Sequence, residues 1–128
     1  MIHLLDSHTF LWWDSNSTQL SARARQICIA PGGLLLLSIA SVWELQIKWQ
    51  KGKLQLNRPL PAIVHDQLAS NRVRLLNVTP DHVFALAQLP PVHKDPFDRI
   101  LAAQANVEGV ALLSDDAILA QYPITVIW

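Results

Sequence analysis

Cysteine is nearly absent: Cys28 is the only one among 128 residues. An internal disulfide and a cysteine-built zinc cage are both excluded, and the usage suits a reducing cytoplasm. Charge is scarce as well, with Asp, Glu, Lys and Arg making up 16% of the chain against roughly 25% in an average soluble domain. Ten basic residues balance ten acidic ones, so no global positive field exists and any nucleic acid must be gripped locally. No apolar run approaches the ~18 residues that mark a bilayer span, and no secretory leader precedes Asp6, so a soluble, non-exported protein is expected. Repeats, linkers and low-complexity tracts are missing too, and the length suits one domain over 1–128. What is plentiful is apolar: hydrophobic residues reach 51% and tryptophans number five. Such a composition excludes disorder and calls for a large core or a buried partner surface.

Ile2 to Leu5, bounded by Asp6, reads as a short buried strand followed by helical text. Leu34 to Leu37 is four continuous leucines, the pattern of a strand covered on both faces. Ile39, Val42, Trp43 and Ile47 then recur at helical spacing, predicting a helix that reaches about Lys51 and stops at Gly52. Proline opens two further helices at Pro61 and Pro80, the second capped by Thr79. Val73 to Leu76 forms a short strand between them. After Pro90 and Pro91, Asp95-Pro96 opens a helix that Gly109 terminates. Val110 to Leu113 is a strand, Ser114-Asp115-Asp116 a turn, and a short helix to Gln121 precedes an apolar strand or tail from Ile124 to Trp128. Strands thus alternate with helices, which predicts an α/β fold: a parallel sheet with helices on both faces and right-handed crossovers.

Four acids occupy equivalent places in this layout. Asp6 ends the first strand, Glu44 lies in the helix after the second, Asp98 opens a helix and Asp116 follows a strand. A parallel sheet gathers the C-terminal ends of its strands along one edge, where open α/β sheets place their ligands, so these acids are expected to converge. Gathered carboxylates repel unless a cation neutralises them, and all-oxygen ligation selects Mg²⁺ or Mn²⁺ over zinc. Water held on such an ion suits hydrolysis of a phosphodiester. Each acid also has a local alternative: Asp6 and Asp116 as helix N-caps, Glu44 closing a capping box with Ser41, and Asp98 closing one with Asp95.

With Asp6-Ser7-His8, Trp43-Glu44, the run His93-Lys94-Asp95-Pro96-Phe97-Asp98-Arg99, and Leu113-Ser114-Asp115-Asp116, the chain resembles the PIN-domain family. Within that family it is most similar to the VapC-like toxins of bacterial type II toxin–antitoxin pairs. The likeness spans nearly the whole chain, and HKDPFDRILAAQA is its most specific segment. It implies a three-layer PIN-like fold and a Mg²⁺-dependent endoribonuclease with Asp6, Glu44, Asp98 and Asp116 as catalytic and metal-binding acids. It also implies Asp95 as an auxiliary acid, and a homodimer masked by an antitoxin whose extended segment lies in an apolar groove. Ser114 stands where relatives often carry Thr, keeping a hydroxyl that could orient a ligand or phosphate. Asp115 stands where relatives are often basic, adding negative charge beside the pocket.

Other polar residues carry weaker signals. His93 and His8 read first as hydrogen-bonding residues rather than bases. Arg99 is open to a phosphate contact or to pairing with Asp98. Lys48, Lys51, Lys53 and Arg58, with Trp49 among them, form the one dense basic patch and suit either single-stranded RNA or a solvated helix end. Five tryptophans exceed what one small core can hide, so some belong to an interface, with Trp43 assigned to the core stripe of its helix. The rival class is a non-catalytic α/β interaction or Mg²⁺-binding signalling domain, such as a receiver. A receiver calls for a late strand-end lysine, whereas the last lysine here, Lys94, precedes a helix.

Overall fold

The computed structural model describes residues 1–128. The elements run β1 (Ile2–Leu5), α1 (Ser7–Asp14), α2 (Ala22–Ile29), β2 (Leu34–Ser38), α3 (Ile39–Gln50), α4 (Leu60–Ala69), β3 (Val73–Leu76), α5 (Pro80–Ala85), α6 (Pro96–Glu108), β4 (Ala111–Leu113) and β5 (Val126–Ile127). Short 3-10 helices cover Leu86–Gln88 and Ala117–Gln121. The five strands form one sheet in the order β3-β2-β1-β4-β5, and every pairing is parallel. β1 is central, with Leu4 in register with Leu36 on one side and Leu112 on the other. The strand order therefore reverses beside β1, which makes its C-terminal end the topological switch point.

Alternation along the strands divides the core into two layers. Leu5, Leu35, Leu37, Val73 and Leu113 turn to one face and pack with Phe10 of α1, Cys28 of α2, Leu45 of α3 and Leu60 and Ile63 of α4. Leu4 and Leu112 turn to the other face and meet Leu101, Ala102 and Ala105 of α6, with Leu119 and Tyr122. The chain therefore folds as helix, sheet and helix layers, the α/β arrangement expected from the alternating elements and the three-layer form that the resemblance implies. Leu37 and Leu112 are fully buried in their respective layers, and truncating either to alanine should cost about 2–5 kcal/mol.

Helix boundaries follow local chemistry. Ser38 caps α3 through Ala40 N–H, Thr79 caps α5 through His82 N–H, and Pro96 occupies the first turn of α6, where its missing N–H costs nothing. Gly109 closes α6 at φ 66°, a left-handed conformation that glycine adopts without strain.

One expectation fails in α3. The helix buries Ala40, Ser41, Glu44 and Leu45, so its inward stripe includes two polar residues. Trp43 lies off that stripe and is 62% exposed, meeting Phe97 in an edge-to-face pair at 5.2 Å between ring centroids. It is therefore not a core residue. The apolar period suggested otherwise because Ser41 and Glu44, being polar, were not counted among the inward positions.

Candidate active site

At the switch point, a cavity of about 300 Å³ has nine lining residues, none of them apolar, and six are carboxylates: Asp6, Glu44, Asp95, Asp98, Asp115 and Asp116. They come from the end of β1, from α3, from the start of α6 and from the turn after β4. The four acids singled out by the sequence pattern thus lie in one pocket, with Asp95 beside them. Ser7, His8 and Lys48 complete its wall.

Each acid is held by identifiable bonds. Asp6 follows β1 and caps α1, its Oδ1 accepting from His8 N–H at 2.8 Å and Thr9 N–H at 3.4 Å. Its Oδ2 accepts from the Ser114 hydroxyl at 2.6 Å. Asp116 has the same division, with Oδ1 accepting from Ile118 N–H at 2.9 Å and Oδ2 facing His93 Nε2 at 3.3 Å. Asp95 caps α6 through Phe97 N–H at 2.8 Å. Capping and pocket formation are thus compatible in one carboxylate: one oxygen satisfies the helix terminus while the other turns to Ser114 in Asp6 and to His93 in Asp116.

The capping-box alternatives for Glu44 and Asp98 do not hold. Helix α3 begins at Ile39 with Ser38 as its cap, so Ser41 is interior. Glu44 is held instead by the Ser7 hydroxyl on Oε1 at 2.8 Å and by Lys48 Nζ on Oε2 at 3.0 Å. Asp98 Oδ2 lies 3.0 Å from His93 Nε2.

Crowding and burial show in the acidities. The Asp98 carboxyl is pushed up to about 7, first by burial and then by the charge of Asp95, with Glu44 and Asp6 adding to the rise and His93 opposing it. Asp6 is also raised, by burial, although the bonds from Ser114, His8 and Thr9 pull the other way. An acid that stays half protonated near neutrality marks a pocket short of positive charge. The anionic groups of the cavity are all carboxylates, and the positive charge they lack is what a hard divalent cation would supply.

The remaining candidates divide. Lys48 reaches the pocket through Glu44, whereas Lys51 is the exposed C-cap residue of α3 and does not line the cavity. Ser114 binds Asp6 and accepts from Asp116 N–H at 3.1 Å, so its hydroxyl orients protein groups. Arg99 is outside the cavity wall; its guanidinium donates to the carbonyls of Pro90 and Leu86 at 3.2 Å and to the Tyr122 hydroxyl at 3.4 Å. It ties the loop before α6 to the helix rather than pairing with Asp98. Sequence reasoning undervalued His93, which stands between two of the acids, and passed over Ser7. The available signal for Ser7 was its place directly after the strand-end acid.

Fold and site together define a parallel α/β domain with an acidic pocket at the switch point of its sheet. The sequence pattern of the PIN domain matches residues 3–124, and the chain belongs to the PIN domain family. Among curated proteins, none matches the sequence significantly. Solved structures with the same fold include VapBC2 from Rickettsia felis bound to a DNA fragment from their promoter, with TM-score 0.73 and 13% identity over 99% of this chain and 98% of that one. DNA-bound VapBC from Salmonella typhimurium gives 0.71 and 14%, covering 99% and 97%. FitAcB from Neisseria gonorrhoeae gives 0.64 and 19%, covering 100% and 97%.

Proposed function

We propose that the chain, as one PIN domain, is a metal-dependent endoribonuclease that serves as the toxin of a type II toxin–antitoxin pair and cleaves single-stranded RNA. The observation that carries this reading is the convergence of Asp6, Glu44, Asp98 and Asp116 from separate segments into one polar cavity. These four would hold Mg²⁺ or Mn²⁺, with Asp95 as an auxiliary charge. The ion would supply positive charge against the phosphate and lower the pKa of a bound water. Ser114 and Ser7 keep Asp6 and Glu44 in fixed orientations through their hydroxyl bonds. Lys48 offers a cation at the pocket wall, and Lys51 lies one turn beyond it as a second contact for an RNA backbone.

Two surfaces support the assembly part of this reading. A groove of about 320 Å³ between α1 and the segment before α4 is lined by Leu11, Trp12, Leu54, Leu56 and Ile63, and His8 belongs to both this groove and the acidic cavity. An antitoxin segment in the groove would run directly toward the acids. On the α6 side of α3, exposed Trp43, Val83 and Ile39 line an apolar hollow with Phe97 and Ile100, and the exposed Phe84 follows Val83 in α5; this side of the molecule is suited to a second copy of the chain. No helix is long and apolar enough to cross a membrane.

The test is incubation of purified protein with a single-stranded RNA. The reading requires cleavage with Mg²⁺ or Mn²⁺, none with chelator, and none from Asp98→Asn. Protein that binds the ion yet cuts no RNA would favour the signalling or interaction class instead.

A further inference from the structure

His93 sits in the loop before α6, its backbone N–H donating to the Tyr122 hydroxyl at 3.1 Å. Its Nδ1 accepts from the backbone N–H of Asp95 at 3.2 Å. A ring nitrogen that accepts from an amide carries no hydrogen, so this bond places the ring hydrogen on Nε2. Nε2 lies 3.0 Å from Asp98 Oδ2 and 3.3 Å from Asp116 Oδ2. The three atoms lie within 4.8 Å of one another, which is close enough for one cation to touch them all.

Distance alone would make His93 a third ligand beside Asp98 and Asp116. The hydrogen count excludes it, because a nitrogen that bears a hydrogen has no lone pair for a metal. Ligation would require the hydrogen to move to Nδ1, where it would face the Asp95 N–H donor head on. Mg²⁺ also prefers oxygen to imidazole.

We propose that His93 is the placeholder of the metal site and not one of its ligands. Its Nε2–H bridges Asp98 and Asp116, holds the two carboxylates together without an ion, and must leave them for an ion to enter. His93 is therefore a positioning residue whose bonds compete with the cation. The inference rests on the metal-holding reading proposed above, and it carries a sign opposite to that of a ligand: removing a ligand weakens metal binding, whereas removing a competitor strengthens it.

Calorimetric titration of metal-free protein with Mn²⁺ separates the two. The His93→Ala variant should bind Mn²⁺ roughly tenfold more tightly than wild type, the scale of one hydrogen bond to a charged acceptor, and should melt lower than wild type without metal. Weaker or unchanged Mn²⁺ binding in the variant overturns the placeholder role while leaving the metal site standing. Absence of Mn²⁺ binding by both proteins overturns the metal-holding reading itself. Should the variant fail to fold, nitrogen NMR of the wild-type ring during Mg²⁺ addition gives the same decision. The hydrogen is expected to stay on Nε2 at saturation, and its transfer to Nδ1 would identify His93 as a ligand.

Discussion

The Ser114 hydroxyl donates to Asp6 Oδ2 at 2.6 Å, joining residues 108 positions apart in the chain. Both partners are buried, and the bond fastens the end of β4 to the end of β1 at the rim of the acidic cavity. Ser114→Ala removes the donor and leaves a buried carboxylate oxygen without its partner. Such a loss costs about 1–3 kcal/mol. Chemical denaturation should show a fall of that size, and Ser114→Thr, which keeps the hydroxyl, should recover most of it. Equal stability of the alanine variant and wild type would mean the bond contributes nothing.

Asp98→Asn removes a charge from a crowded pocket as well as a ligand. Without metal, the variant should melt at a higher temperature than wild type, because repulsion from Asp95, Glu44 and Asp6 is relieved. With Mg²⁺ in excess the order should reverse, since only wild type gains from the ion. Differential scanning calorimetry of both proteins in both conditions reads this directly, and a lower metal-free melting point for the variant would argue against charge crowding.

The pH dependence follows from the same carboxyl. An unfolded Asp98 titrates near 3.8, whereas in the folded, metal-free protein it is raised to about 7. Folding therefore takes up a proton between about pH 4 and 7, and this group's contribution to stability is lost as pH rises through 7. The raised pKa of Asp6 acts in the same direction, while that of His3, lowered by burial, acts in the opposite one. Comparison with Asp98→Asn isolates the Asp98 part. The stability advantage of pH 6 over pH 8 should be larger in wild type than in the variant, and Mg²⁺ should raise the wild-type melting point more at pH 8. An identical pH profile for both proteins would contradict the shift.

Much of this site was legible in the sequence because sheet topology does the gathering. Once Ile2–Leu5 and Leu34–Leu37 are strands of a parallel sheet, Asp6 and Glu44 must approach the same edge, and the turn after Leu113 brings Asp116 there. The bonds between segments were less accessible. His93 looked like an ordinary loop residue because its partners Asp98 and Asp116 meet it only after α6 and the β4 turn are packed. The anchoring of Arg99 was equally hidden, because the Leu86 and Pro90 carbonyls that hold it belong to a different stretch of chain. Trp43 was misplaced because a helix face is identified from its apolar members, and α3 turns polar Ser41 and Glu44 inward.

Exposure of Trp43 and Phe84, at 62% and 71%, leads to a prediction about assembly. Sedimentation at micromolar concentration should show a species of twice the 14.3 kDa chain mass, and Phe84→Glu should convert it to monomer without unfolding it. A wild-type monomer across that range would remove the second copy from the account.

The chemistry of the cut ends tests the central claim most directly. Hydrolysis by water expels the 3′-oxygen and needs no help from the ribose 2′-hydroxyl, whereas a histidine base acting on that hydroxyl leaves a cyclic phosphate. Mass analysis of RNA fragments from the purified protein should find 5′-phosphate and 3′-hydroxyl ends, formed with Mg²⁺ or Mn²⁺, absent with chelator and absent with Asp116→Asn. Chelator-resistant cleavage that leaves 2′,3′-cyclic phosphates and 5′-hydroxyls would contradict it.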